Sequence, residues 1–218
     1  LCLTYQNDIF KERILKLANS INCKLTLECD VENKKDINKL FLNLKKEWGK
    51  IDFIVHALAF SDKNELKGSY FDTSKDNFRK TLLVSSFSLT EVCMEAKVLM
   101  SEDGGSILTL TYIGGERTTP NYNVMGVAKA ALEASVRYLS VDLGKNNIRV
   151  NSLSSGPMKT LAGSAITGAR HIFKHSEKNS PMGKNPSLKE VGSSAVYLLS
   201  DLSSGVTGEN HFVDGGYN

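Results

Sequence analysis

The chain has 218 residues, 41% of them hydrophobic and 23% charged, enough for one well-filled core and for no more than one ordinary α/β domain. Its net charge of +3 comes from lysines scattered along the chain, which argues against a nucleic-acid track, and no apolar run approaches the ~18 residues of a membrane span. The four cysteines, Cys2, Cys23, Cys29 and Cys93, lack CxxC spacing and fall in apolar segments, the pattern of reduced structural thiols in a cytosolic protein.

Short apolar runs alternate with longer amphipathic stretches, the signature of a parallel sheet covered by helices. The chain opens inside a strand over 1–5, with no lead-in and no initiator methionine. A helix over 8–21 places Ile9, Phe10, Ile14, Leu15 and Leu17 on one side. A strand over 24–28 follows, then a helix over 35–48 that stops at Gly49. Next come a strand over 53–56, a long apolar helix over 78–100 and a strand over 106–112. An Ala-rich helix over 122–143 has Gly144 just past its end, and strands over 149–154 and 211–213 flank a helix over 188–199. Right-handed crossovers would set all these strands parallel in one sheet. The fold class is therefore α/β, a Rossmann-like doubly wound sheet in three layers, with ligands bound beyond the C-terminal strand ends.

The chemistry concentrates after the fourth strand. Tyr112 ends that strand, Tyr122 stands ten residues on at a helix start, and Lys129 follows seven residues later. Seven residues is nearly two helical turns, so Tyr122 and Lys129 share a face about 10 Å apart along the axis. A phenol is protonated at neutral pH and can donate to a developing oxyanion. A nearby lysine supplies positive charge and donors for ribose hydroxyls. By itself the Tyr-x6-Lys spacing also fits a surface lysine beside a half-buried tyrosine.

The string Tyr112…Pro120-Asn121-Tyr122-Asn123-Val124-Met125-Gly126…Ala128-Lys129-Ala130 resembles the short-chain dehydrogenase/reductase superfamily, and within it the enoyl-acyl-carrier-protein reductases. Ordinary members separate the tyrosine and lysine by three residues, whereas the enoyl reductases use this longer spacing with an earlier tyrosine. The resemblance covers nearly the whole chain. Thr4-Tyr5-Gln6-Asn7-Asp8 is similar to the family's second strand and the turn that meets the adenosine, and Cys29-Asp30-Val31 to its adenine contact. Asp30 also reads as an N-cap for the helix that follows. Ala57-Leu58-Ala59 resembles the loop beneath the cofactor, and Pro157-Met158-Lys159-Thr160-Leu161-Ala162 the segment that embraces the nicotinamide amide and pyrophosphate. Val213-Asp214-Gly215-Gly216 matches the superfamily's last strand end.

The resemblance implies reduction of the trans-2 double bond of enoyl-acyl-carrier-protein thioesters by hydride from a nicotinamide. Tyr112, Tyr122 and Lys129 would be the catalytic residues. The acyl chain would meet Ser61, Leu66, Tyr112, Tyr122, Met125 and Ile166 under a mobile lid over 161–175. Gln6, Asn7 and Asp8 stand where a 2′-phosphate would call for arginine or lysine, so NADH is expected rather than NADPH. Ala57 and Leu58 depart from the serine and isoleucine frequent in the family, and Ala169 replaces a bulky lid aromatic, implying a roomier acyl pocket. The family opens with a strand, a glycine-rich turn and a helix. On that pattern roughly 30–40 residues, one strand-turn-helix unit, would precede Leu1. Gly114-Gly115 is misplaced for that turn.

Expected partners are the acyl-carrier protein and further copies of this chain in a homotetramer, in a bacterial cytoplasm, with no nucleic acid and no membrane insertion. The four dispersed histidines call for no metal, and His56 reads as a packed core residue. Other readings stay open at this stage. They are a ketoacyl or dienoyl reductase of the same fold, a non-catalytic NAD(P)-sensing protein, or a folded fragment with a damaged site.

Overall fold

The structure, a computed structural model, describes residues 1–100, 103–158, 160 and 168–218. In chain order the elements are β1 (Cys2–Tyr5), α1 (Asp8–Ser20), β2 (Leu25–Glu28), α2 (Lys34–Trp48), β3 (Phe53–His56), α3 (Lys75–Leu82), α4 (Ser88–Met100), β4 (Gly105–Thr111), α5 (Asn123–Gly144), β5 (Ile148–Ser155), α6 (Ala169–Asn179), α7 (Leu188–Leu199) and β6 (Asn210–Val213). This is the Rossmann-like α/β arrangement that the alternating pattern predicts. Side-chain caps mark the helix starts: Asn7 accepts from Ile9 N, Asn33 from Lys35 N, and Ser187 with Glu190 forms a capping box.

All strand pairs are parallel, in register blocks such as Gly105↔Ile148 to Thr111↔Ser154. β4 and β5 are buried on both faces. Consecutive side chains point to opposite sides of a strand, so Ile107 joins one core with α2, α4 and α5 while Leu108 joins a second with Leu153, Val191 and Leu198. Ser106 donates to the Leu198 carbonyl at 2.8 Å, tying α7 to the sheet.

Among the described residues the strands form two ladders, β1-β2 and β3-β4-β5-β6. β1 and β3 do not pair, because a ladder requires strands about 4.8 Å apart and a cleft of about 840 Å³ separates these edges. Along it Phe53 and Val55 remain 42% and 44% exposed. The expected apolar side of α1 is not buried either. Ile9 is 85% and Leu17 49% exposed, and Ala18 is the buried residue of that helix.

The long helix expected over 78–100 is interrupted by a π-helical turn, Leu83–Phe87, and begins earlier, at Ser74, whose side chain caps Asn77 N. The serines explain the break. Ser88 Oγ bonds back to the Val84 carbonyl at 2.7 Å, and Ser85 Oγ leaves the helix to bond both N and O of Phe60. Gly144 ends α5 from within, with Lys145 as the cap. All four cysteines are free.

Candidate active site

The C-terminal ends of β1 to β5 and the residues just after them carry the functional groups. At the β1 and β2 ends, Gln6 Nε2 donates to Asp30 Oδ2 at 3.2 Å. The reading of Asp30 as a helix cap is corrected. Asn33 caps α2, and Asp30 Oδ1 instead accepts from Glu32 N at 3.0 Å, an Asx turn that holds the carboxylate at the strand end. Val31 packs beside it against the main core. After β3, Ala57, Leu58 and Ala59 line the cleft, with Ala57 and Ala59 exposed. Ser85, on the π turn, holds this loop at Phe60.

At the end of β4 the two expected tyrosines come together. Tyr112 and Tyr122 meet edge to face, centroids 5.2 Å apart at 69°. Met125 and Ala128 on α5, with Leu66 and Leu82, pack around them. Tyr122 is buried at the N-cap of α5, between Asn121 and Asn123 at φ 58° and 27°. Asparagine tolerates this left-handed region, so the Asn-Tyr-Asn string suits a sharp entry to the helix. Asn123 Nδ2 donates to the carbonyls of Glu65 and Gly68, 3.3 Å each, and so links the helix start to the loop holding Leu66. Ser61 bonds Asn77, which with Ser74 also binds the Glu65 carboxylate.

Lys129 is buried, and its Nζ donates to the Leu110 carbonyl at 2.7 Å. Burial draws its ammonium down to about 8, and the Glu133 carboxylate opposes that. Burial pushes the Tyr112 phenol up to about 12, with Tyr217 adding to it. Burial, then Tyr112 and Glu133, push Tyr122 higher still. Both phenols are therefore proton-bearing donors at neutral pH. His56 is a packed core histidine, as its sequence position suggests. Its ring nitrogens lie 2.9 Å from Thr109 Oγ1 and Ser88 Oγ. Burial and then the Lys129 charge bring its pKa down to about 3.

After β5, Gly156 N donates to Val213 O, and a Cβ on Gly156 would stand 2.8 Å from Pro186 Cδ. This close approach carries the chain into Pro157 and Met158, and Thr160 N donates to the Met158 carbonyl at 2.8 Å. Lys159, Leu161, Ala162 and Ile166 lie outside the described residues; beyond them, α6 occupies the end of the expected lid.

Gly114 and Gly115, dismissed in the sequence as misplaced, prove structural to the site. A Cβ on Gly114 would meet the Tyr122 ring at 2.5 Å, and one on Gly115 would meet Glu133 Oε1 at 2.6 Å. Glu133 also escaped the sequence reading. The available signal was an acid set among alanines and leucines on the helix that bears Lys129.

A sequence profile described as enoyl-(acyl carrier protein) reductase matches residues 1–218. The chain is 55% identical over 218 residues to an enoyl-[acyl-carrier-protein] reductase [NADH] of Rhizobium meliloti, covering all of this chain and 81% of that protein. It is 53% identical to the Rickettsia felis enzyme of the same name, covering 84% of it. The structure superimposes with a TM-score of 0.95 on an Anaplasma phagocytophilum enoyl-(acyl-carrier-protein) reductase in complex with NAD, at 53% identity, over 99% of this chain and 82% of that one.

Proposed function

Because this chain belongs to the enoyl-(acyl carrier protein) reductase family, we propose that it reduces the trans-2 double bond of enoyl-acyl-carrier-protein thioesters with NADH, the last reductive step of type II fatty-acid elongation. The observation that carries this reading is the edge-to-face Tyr112–Tyr122 pair at the end of β4, with Lys129 buried two turns along the same helix as Tyr122. It supports the enoyl reductase over a ketoacyl or dienoyl reductase, because the sequence has no lysine four residues after a tyrosine. It also speaks against a sensor that lacks proton donors.

The residues present fit a dinucleotide. Small side chains open the floor at Ala57 and Ala59, and a carboxylate and an amide stand at the β1 and β2 ends. A buried ammonium, that of Lys129, lies at the end of β4 against the Leu110 carbonyl. Gln6, Asp30 and Val31 would hold the adenosine, Ala57, Leu58 and Ala59 the underside, Lys129 the ribose, and Pro157, Met158, Thr160, Leu161 and Ala162 the nicotinamide end. When bound, NADH would supply a hydride to the β-carbon of the enoyl thioester, and the enolate so formed would take up a proton and tautomerise to the saturated acyl chain. Tyr122 donates a hydrogen bond to the thioester oxygen as negative charge builds there; its raised pKa keeps the proton in place until needed. Lys129 adds positive charge to the same side. Tyr112, with Ser61, Leu66, Met125 and Ile166, would bound the acyl chain and exclude water from it.

Partners follow from the same reading. The acyl-carrier protein presents the substrate. Exposed Met94, Val98, Tyr138 and Val141 on α4 and α5 support association of four copies through those helices. No helix among the described residues is long and apolar enough to cross a membrane, in keeping with work in the bacterial cytoplasm. The test is absorbance at the NADH band with a crotonyl or longer enoyl thioester, on protein from its complete reading frame. Thioester-dependent NADH oxidation is expected, falling on the order of 100-fold or more in Tyr122→Phe while NADH binding persists. Absence of oxidation in a protein that still binds NADH would overturn the enzyme reading.

A further inference from the structure

One turn beyond Lys129, α5 carries a second buried ionisable group that the reduction as described does not use. Glu133 is 6% exposed, and its Oε1 accepts from the Thr111 hydroxyl at 2.5 Å. Residues four apart share a helix face, so Lys129 and Glu133 point to the same strand end. Lys129 binds the carbonyl of Leu110 and Glu133 the hydroxyl of the next residue, Thr111. Room for the carboxylate comes from a missing side chain. A Cβ on Gly115 would stand 2.6 Å from Oε1 and 3.1 Å from Oε2. A helix position that only needed filling would take an apolar residue here without the cost of desolvating an acid.

The charges that face this pair are few. Arg137 lies one turn further along α5, and Glu116 follows the turn after β4. The Tyr122 phenol faces Glu133, and His56 on β3 faces Lys129. Glu133 is the group that raises Lys129 against the effect of burial. Burial raises Glu133 in turn, and the Thr111 hydrogen bond, Arg137 and Lys129 hold it down.

We infer that Glu133, clamped by Thr111 over Gly115, is a positioning residue that acts through Lys129, one turn away on the same helix face, and keeps the amine offered to the ribose in its charged form. The inference rests on the role given to Lys129 under the proposed function. Its mechanism is electrostatic. With the carboxylate present, Lys129 stays cationic at working pH; without it, burial alone governs the amine and deprotonates it at lower pH.

The experiment is NADH affinity by fluorescence between pH 6 and 9, with no thioester present. It compares wild type with Glu133→Gln, Glu133→Asp, Thr111→Val and Lys129→Met, and the melting temperature of each variant is taken without NADH. Wild type should lose affinity on the alkaline side as Lys129 loses its proton. Glu133→Gln should move that midpoint down by about one pH unit, so that affinity falls about fivefold near pH 8 and about tenfold near pH 9, and returns to within about twofold of wild type at pH 6. Glu133→Asp, which keeps the charge, should recover part of the wild-type midpoint. Thr111→Val should shift it in the Gln direction by less, and it decides the matter should Glu133→Gln not fold. A midpoint unmoved in Glu133→Gln and Thr111→Val, or an affinity lowered equally at every pH, would overturn the inference. Wild-type NADH affinity in Lys129→Met is a separate result and would overturn the role of Lys129 itself.

Discussion

The two ladders of the sheet are built from similar strands and end up in different states. β4 and β5 bury nearly every residue between helices on both faces, whereas β1 and β2 show an intermediate or exposed residue at every position. Their covering helices repeat the contrast. α5 buries eight residues, and α1 buries Ala18 alone. Apolar periodicity gives a helix or strand one face to hide, but hiding it requires a neighbour on that side. Among the described residues β1 pairs along its β2 edge, and the cleft lies along the other. The proposed chemistry divides along the same line. The proton donor and the lysine stand on the well-packed side, and the adenosine-facing pair Gln6 and Asp30 on the lightly packed one.

That contrast can be broken by substitution. Leu153→Ala, in the second core and fully buried, should cost about 3–4 kcal/mol by chemical denaturation. Leu17→Ala on α1 should cost less than about 1 kcal/mol; similar losses at the two sites would show that the ladders are equally consolidated. Acid should act through His56 on the larger ladder. With a folded pKa of about 3 against 6.5 unfolded, its neutral form contributes stability in full above pH 6.5. That contribution declines as the pH falls from 6.5 toward 3, and amounts to a few kcal/mol at most. His56→Asn should flatten this part of the stability profile, and an unchanged slope would assign it to other groups.

Cysteines report on the two sides without mutation. Burial raises Cys29 to about 11 and Cys93 to about 12, so both thiols react slowly while folded. Pulsed alkylation should label Cys23 and Cys29, beside the lightly packed ladder, before Cys93 in α4, read by peptide mass; labelling in the reverse order would invert the comparison. The smallest effect is expected at Asp30. Asp30→Asn removes a charged acceptor from one hydrogen bond, so NADH affinity should fall by no more than about tenfold, with turnover at saturating NADH unchanged.

Much of the site was legible because it depends on spacing along one element or on residues just past a strand. Tyr122 and Lys129 share α5, Tyr112 follows β4, and Gln6, Asp30 and Ala57 to Ala59 follow their strands. The parts that escaped depend on approach between elements distant in sequence. Gly114 and Gly115 matter because Tyr122 and Glu133 of α5 come within contact of them. The π turn exists because Ser85 reaches the Phe60 backbone.

By itself the sequence determined the order and kind of the elements and the residues at the strand ends, which rest on local periodicity and on side-chain chemistry read at fixed offsets, while the reaction family rests on the resemblance that those motifs carry. Only the tertiary structure decided that the helix before β4 breaks at a π turn, that Gly114 and Gly115 make room for Tyr122 and Glu133, and that Glu133 and Lys129 bond adjacent residues of one strand end. The physical reason is that edge pairing, burial and charge coupling are set by distances between segments that the chain itself leaves free.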